Sequence, residues 1–79
     1  RLERAAWPRP AIFEWLQKNG GVSEVEMHRV FNCGIGMALI VDAQHVAACR
    51  RDLESAGETV HVLGHVVPRP AGEPATTVV

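Results

Sequence analysis

The chain has 79 residues, enough for one small domain and no second one. Eight basic against nine acidic residues give a net charge of −1, which implies no sequence-independent affinity for nucleic acid. A hydrophobic share of 47% argues against disorder, and no apolar run approaches the roughly 20 residues that cross a bilayer.

A domain this short buries only about 60% of the surface its unfolded chain exposes, so its own core is marginal. Two cysteines, Cys33 and Cys49, make no disulfide framework and fit a reduced, cytoplasmic setting. The N-terminus carries no signal-peptide pattern. The chain starts at Arg1 without an initiator Met, and the expectation is a fragment or processed piece.

Residues 1–9 read as an extended lead-in, because Pro8 and Pro10 each push the preceding residue out of the helical region. A first helix fits residues 10–18, with Ile12, Phe13 and Leu16 on its buried face and Gly20-Gly21 as the stop. Ser23 and Glu26 have the spacing of a capping box for a second helix over residues 24–30. This helix is short, so packing through Met27, Val30 and Phe31 must hold it.

Next come Asn32-Cys33-Gly34-Ile35-Gly36 and the apolar run over residues 37–41. A short apolar run bounded by turn signals predicts a strand buried on both faces. Asp42 is placed to cap a third helix over residues 43–56, whose apolar stripe is Val46, Cys49 and Leu53 and whose stop is Gly57. A second strand is predicted over residues 59–67, with Val60, Val62, Gly64 and Val66 on one face and His61, Leu63 and His65 on the other. The fold class is therefore α/β (α+β): two short helices, then a βαβ unit with a right-handed crossover. Residues 1–67 form the domain, and the Pro- and Gly-rich residues 68–79 form an extended or disordered tail, of which 76–79 are able to pair with an edge strand. Two strands make an incomplete sheet, so strand edges are expected to be exposed.

The glycine loop lacks the spacing of a dinucleotide fingerprint, has no Gly-Lys-Ser/Thr, and leads into a strand where a phosphate loop leads into a helix. It reads as a tight turn or bulge shaping the entry to that strand. The functional alternative has Asn32 and the neighbouring backbone N–H groups, those of Gly34 and Gly36 among them, facing a substrate cleft. The four histidines, His28, His45, His61 and His65, have no recognised zinc spacing. His61 and His65 would stand about 13 Å apart along a strand, too far to share an ion, so no metal site is expected. Cys33 is the only nucleophile candidate, but nothing beside it in sequence lowers its pKa, and it reads better as a small buried thiol. Trp7, Phe13 and Trp15 read as packing anchors, since no basic groove accompanies them.

Three ordered blocks carry a family resemblance. The first is Trp7-Pro8-Arg9-Pro10-Ala11-Ile12-Phe13-Glu14-Trp15-Leu16-Gln17. The second is Arg29-Val30-Phe31-Asn32-Cys33-Gly34-Ile35-Gly36-Met37, preceded by Glu26-Met27. The third joins Ala56-Gly57-Glu58 to Val62-Leu63-Gly64. Together they resemble the C-terminal domain of the phosphoribosylformylglycinamidine cyclo-ligases, also called aminoimidazole ribonucleotide synthetases. The resemblance covers residues 7–66. It implies the end of a homodimeric enzyme that uses ATP and Mg²⁺ to close formylglycinamidine ribonucleotide into 5-aminoimidazole ribonucleotide. It also implies that most of the ATP site and the dimer interface lie in an N-terminal domain, and that upstream strands complete the sheet. On this reading the chain alone is inactive and contributes one wall of the cleft for a small-molecule substrate, with no nucleic-acid or membrane partner. A non-catalytic oligomerisation or binding module of the same ancestry is the alternative. The selenophosphate synthetases and thiamine-monophosphate kinases fit the second block less well.

Overall fold

The computed structural model describes residues 1–79. A 3₁₀ turn at Arg4–Ala6 precedes α1 (Ala11–Gly20) and α2 (Glu24–Val30), and a second 3₁₀ turn at Ala43–His45 runs into α3 (Val46–Ser55). Helices α1 and α2 each have a local cause. Pro10 precedes the first turn of α1, and Gly21, at φ 63°, closes its end by donating to the Gln17 carbonyl. The Ser23 hydroxyl accepts from the Glu26 N–H at 3.2 Å and starts α2. The reciprocal half of the expected capping box is not made, because the Glu26 carboxylate is held by Arg29 at 2.6 and 2.8 Å. Asp42 precedes the third helical segment, but its side chain caps nothing, and that segment begins as 3₁₀.

The helices meet through few side chains. Phe13 of α1 and Phe31, just past α2, stack edge to face with centroids 6.1 Å apart. Only Trp7, Met27 and Cys33 are buried. The stripe Val46, Cys49 and Leu53 is the least exposed face of α3, yet it is only half covered.

The expected βαβ unit is not formed. Residues 37–41 make no backbone hydrogen bonds, and Met37 and Ile40 are 81% and 84% exposed, the reverse of a strand buried on both faces. A strand needs ladder partners, and no segment is hydrogen-bonded to this one. Residues 59–67 pair only around Gly64. There, Glu3 N–H donates to Leu63 O at 2.7 Å and His65 N–H to Arg1 O at 3.0 Å, an antiparallel bridge centred on Leu2 and Gly64. Leu2 is also bridged on its other side, in parallel, to Val78. Leu2 N–H donates to Thr77 O, Val79 N–H to Leu2 O, and Arg4 N–H to Val79 O, at 2.8, 2.9 and 2.7 Å. The lead-in thus lies between two segments distant in sequence.

The missing ladders leave a measurable deficit. The chain has 35 backbone–backbone hydrogen bonds, against about 55 expected for a closed domain of this length. Its accessible surface of 6302 Å² exceeds by about one third the value expected for a compact protein of 8.6 kDa. The principal extents are 40 × 37 × 16 Å, so the molecule is a slab one layer thick. No helix is long and apolar enough to cross a membrane.

Candidate functional site

The segment after α2 turns sharply because two successive residues are left-handed: Cys33 at φ 51° and Gly34 at φ 103°. Ile35 N–H donates to Asn32 O at 3.1 Å, closing a turn of the I′ kind. The Asn32 side chain reinforces it, its Oδ1 accepting from the Gly34 N–H at 2.8 Å. A β-carbon on Gly34 would stand 2.6 Å from Pro10 Cδ and 2.9 Å from Pro10 Cγ, so glycine is required by both conformation and space.

Two buried residues, Trp7 and Met27, hold this turn through Cys33, which is itself buried. The Trp7 indole N–H donates to the Cys33 carbonyl at 3.0 Å, and the Cys33 thiol points to the Met27 carbonyl at 3.6 Å. His28 meets the Trp7 ring edge to face at 6.3 Å. A cleft of about 230 Å³ is lined by Leu2, Trp7, His28, Asn32 and Ile35, together with Thr76 and Val78 of the tail. A second groove of about 410 Å³ shares His28, Thr76 and Val78 with it and carries Arg4, Glu24 and Arg29.

Of the residues singled out for the substrate cleft, Asn32 borders the smaller cleft, with one side-chain oxygen committed to the turn. Gly34 is exposed at the apex and its N–H is already used by Asn32. Gly36 lies beyond the turn with nothing within 4 Å of the position its β-carbon would take. No three His, Cys, Asp or Glu side chains converge anywhere in the molecule.

One polar constellation has no counterpart in the sequence reading. Arg9 grips Glu24 in bidentate fashion at 2.8 and 3.2 Å and donates to Gln17 at 2.9 Å. Gln17 in turn donates to Glu24 at 2.7 Å, and Arg4 approaches the same carboxylate at 3.4 Å. The network ties the lead-in to α1 and α2. The Arg9 hydrogen bonds, then that of Gln17, lower the Glu24 carboxyl to about 2 from its ordinary 4.5. A carboxylate with a depressed folded-state pKa stabilises fully above the unfolded value and loses that contribution as pH falls through the folded one. The window therefore runs from about pH 4.5 down to about pH 2. Glu24 is 39% exposed, so screening holds the expected loss in Glu24→Gln to about 1 kcal/mol. Denaturation midpoints measured across that window should fall more steeply for the unaltered chain than for Glu24→Gln. Parallel curves would contradict this.

Comparison with known proteins places the chain among its relatives. The sequence model of the AIR synthase related protein C-terminal domain matches residues 1–75, nearly the whole chain. The chain belongs to this family. Among curated relatives of the AIR synthase related domain, a phosphoribosylformylglycinamidine cyclo-ligase from Bordetella petrii is 52% identical over 79 residues, the full chain and 23% of that protein. The proteins of the same name from Burkholderia multivorans and Burkholderia cenocepacia are each 54% identical over 78 residues, covering 99% of this chain and 22% of theirs. The AIR synthase related domain described here thus spans under a quarter of the length of these relatives. All three blocks of resemblance lie within the matched residues.

Proposed function

We propose that the chain acts as the C-terminal portion of an ATP-dependent phosphoribosylformylglycinamidine cyclo-ligase. The reaction would close formylglycinamidine ribonucleotide to 5-aminoimidazole ribonucleotide in purine biosynthesis, in the cytoplasm. The observation that carries this reading is 52–54% identity across the chain to proteins bearing that name. The chain's share is one wall of a substrate cleft, with Asn32, Gly34 and Gly36 as its contact segment and the Trp7 cleft behind it.

The residues present do not fit Mg²⁺-ATP. No acidic cluster converges, and the one glycine turn leads into extended backbone where a phosphate cradle would open a helix. ATP and Mg²⁺ are accordingly assigned to the remainder of the enzyme, together with the homodimer contact, and no chemical step is routed through this chain. What the chain supplies is positioning, the part of such catalysis that depends on a rigid wall.

The test is ATP-dependent turnover of formylglycinamidine ribonucleotide by the chain alone and by the chain mixed with a separately expressed remainder of the enzyme. Turnover only in the mixture is expected. Turnover by the isolated chain above a no-protein blank would overturn its assignment as an inactive part, and an inert but assembled mixture would overturn the cyclo-ligase reading. In that case the alternative, a non-catalytic oligomerisation or binding module, gains support from the uncovered apolar residues 37–41.

A further inference from the structure

We propose that Trp7 is a positioning residue, whose indole N–H, beyond the bulk of its ring, fixes the turn at residues 32–35 as the wall of the adjoining cleft. The proposal rests on the cyclo-ligase reading only for what occupies that cleft. The geometry for the hold on the turn is independent of it.

Cys33 is the one residue other than glycine with a positive φ, a conformation that costs a side-chain-bearing residue free energy unless its surroundings impose it. The surroundings that impose it are few. The Cys33 carbonyl receives the buried indole N–H at 3.0 Å, and the thiol is buried against the Met27 carbonyl. Pro10, three residues after Trp7, fills the space a β-carbon on Gly34 would need. The stretch from Trp7 to Pro10 therefore touches both left-handed residues of the turn, one by a hydrogen bond and one by a ring. Beyond the turn nothing comparable restrains the chain, because residues 37–41 make no backbone hydrogen bonds. Trp7 also lines the cleft that Asn32 borders, so the residue that holds the turn shares that cleft with the turn's polar edge.

Cys33 reports on this hold. It is buried, whereas Cys49 on α3 is half exposed. In a Cys49→Ser background the remaining thiol should react slowly with a soluble disulfide reagent, at a rate governed by local opening of the turn. Adding Trp7→Phe keeps an aromatic ring and removes the donor. The Cys33 rate should then rise about tenfold, with helical circular dichroism unchanged. Placing Glu54→Gln in the same background breaks only the Arg50 pair on α3 and should leave the rate near its starting value. Unchanged Cys33 reactivity in folded Trp7→Phe would overturn the proposal.

A second measurement needs no substitution at Trp7. Hydrogen exchange in the unaltered chain should show a protected indole proton on Trp7 and a fast one on the exposed Trp15, and equal exchange would also overturn the proposal. In the assembled enzyme, Trp7→Phe should raise KM for the ribonucleotide while kcat is kept, the signature of lost uniform binding. Faster Cys33 reaction with an unchanged KM would sustain the hold on the turn and overturn the assignment of this turn to the substrate cleft.

Discussion

Replacing Gly64 by alanine is expected to detach the lead-in from residues 63–65. The new β-carbon would fall on the Arg1 carbonyl oxygen, with the carbonyl carbon at 2.9 Å and Leu2 Cα at 3.0 Å. These are backbone atoms, and no rotamer change relieves the overlap. The segments must part, and the Glu3 N–H bond to Leu63 and the paired bonds between Arg1 and His65 go with them. An overpacking penalty combined with lost backbone hydrogen bonds amounts to about 3 kcal/mol. Amide exchange at Glu3 and His65 is the direct measurement, since both should lose protection while α1 keeps its own. Retained protection at both amides would show that the bridge tolerates a side chain. Gly36→Ala is the control, because its β-carbon meets nothing within 4 Å, and its effect should stay within about 0.5 kcal/mol.

Gly34→Ala is expected to cost about 2–4 kcal/mol, the sum of a left-handed backbone and a collision with a ring that has no flexible end to move. At φ 103° the conformation suits glycine, and Pro10 Cδ stands 2.6 Å from the added carbon. The turn has two ways to relieve this: Gly34 changes conformation, which breaks the Asn32 side-chain bond, or Pro10 retreats, which shifts the start of α1. Either movement loosens Trp7 from Cys33, so the indole emission should shift to the red and the Cys33 thiol should become reactive. A variant with native emission and a protected thiol would contradict the account of why glycine stands here. The contrast between Gly34 and Gly36 also separates two roles. A substitution at Gly36 that raises KM in the assembled enzyme without loss of stability would mark a substrate contact, a distinction that Gly34 cannot offer.

The helices were legible because their signals are local. Pro10 with Gly20-Gly21, the Ser23 cap and Gly57 each act within a turn of their own position, and all lie where the chain starts or stops a helix. The turn after Phe31 was legible for the same reason, since Asn and Gly close it using bonds among neighbours. The strands were not. An apolar run states only that a segment needs neighbours, and residues 37–41 have no hydrogen-bonded strand partner in this molecule. The tie among Arg9, Gln17 and Glu24 left no trace in the sequence reading, because partners 7 to 15 residues apart on three elements share no period. As a sequence feature Trp7 is a packing anchor, which holds for its ring. Its N–H donation to Cys33 spans 26 residues, and a sequence pattern does not carry that pairing.

The parallel pairing of residues 77–79 with the lead-in has a consequence for the order in which the chain folds. Residues 2–4 are joined to residues 77–79, across about 75 positions, so this ladder forms only once residues 77–79 have been made. Helices α1 and α2 and the turn that follows need nothing beyond residue 35 and can close while the rest is still being made. The N-terminal segment must wait with open edges until the tail arrives, and so long a loop closes slowly. Nascent chains stalled before the tail emerges should therefore hold a formed turn beside an unpaired lead-in, the state most open to capture by other strands.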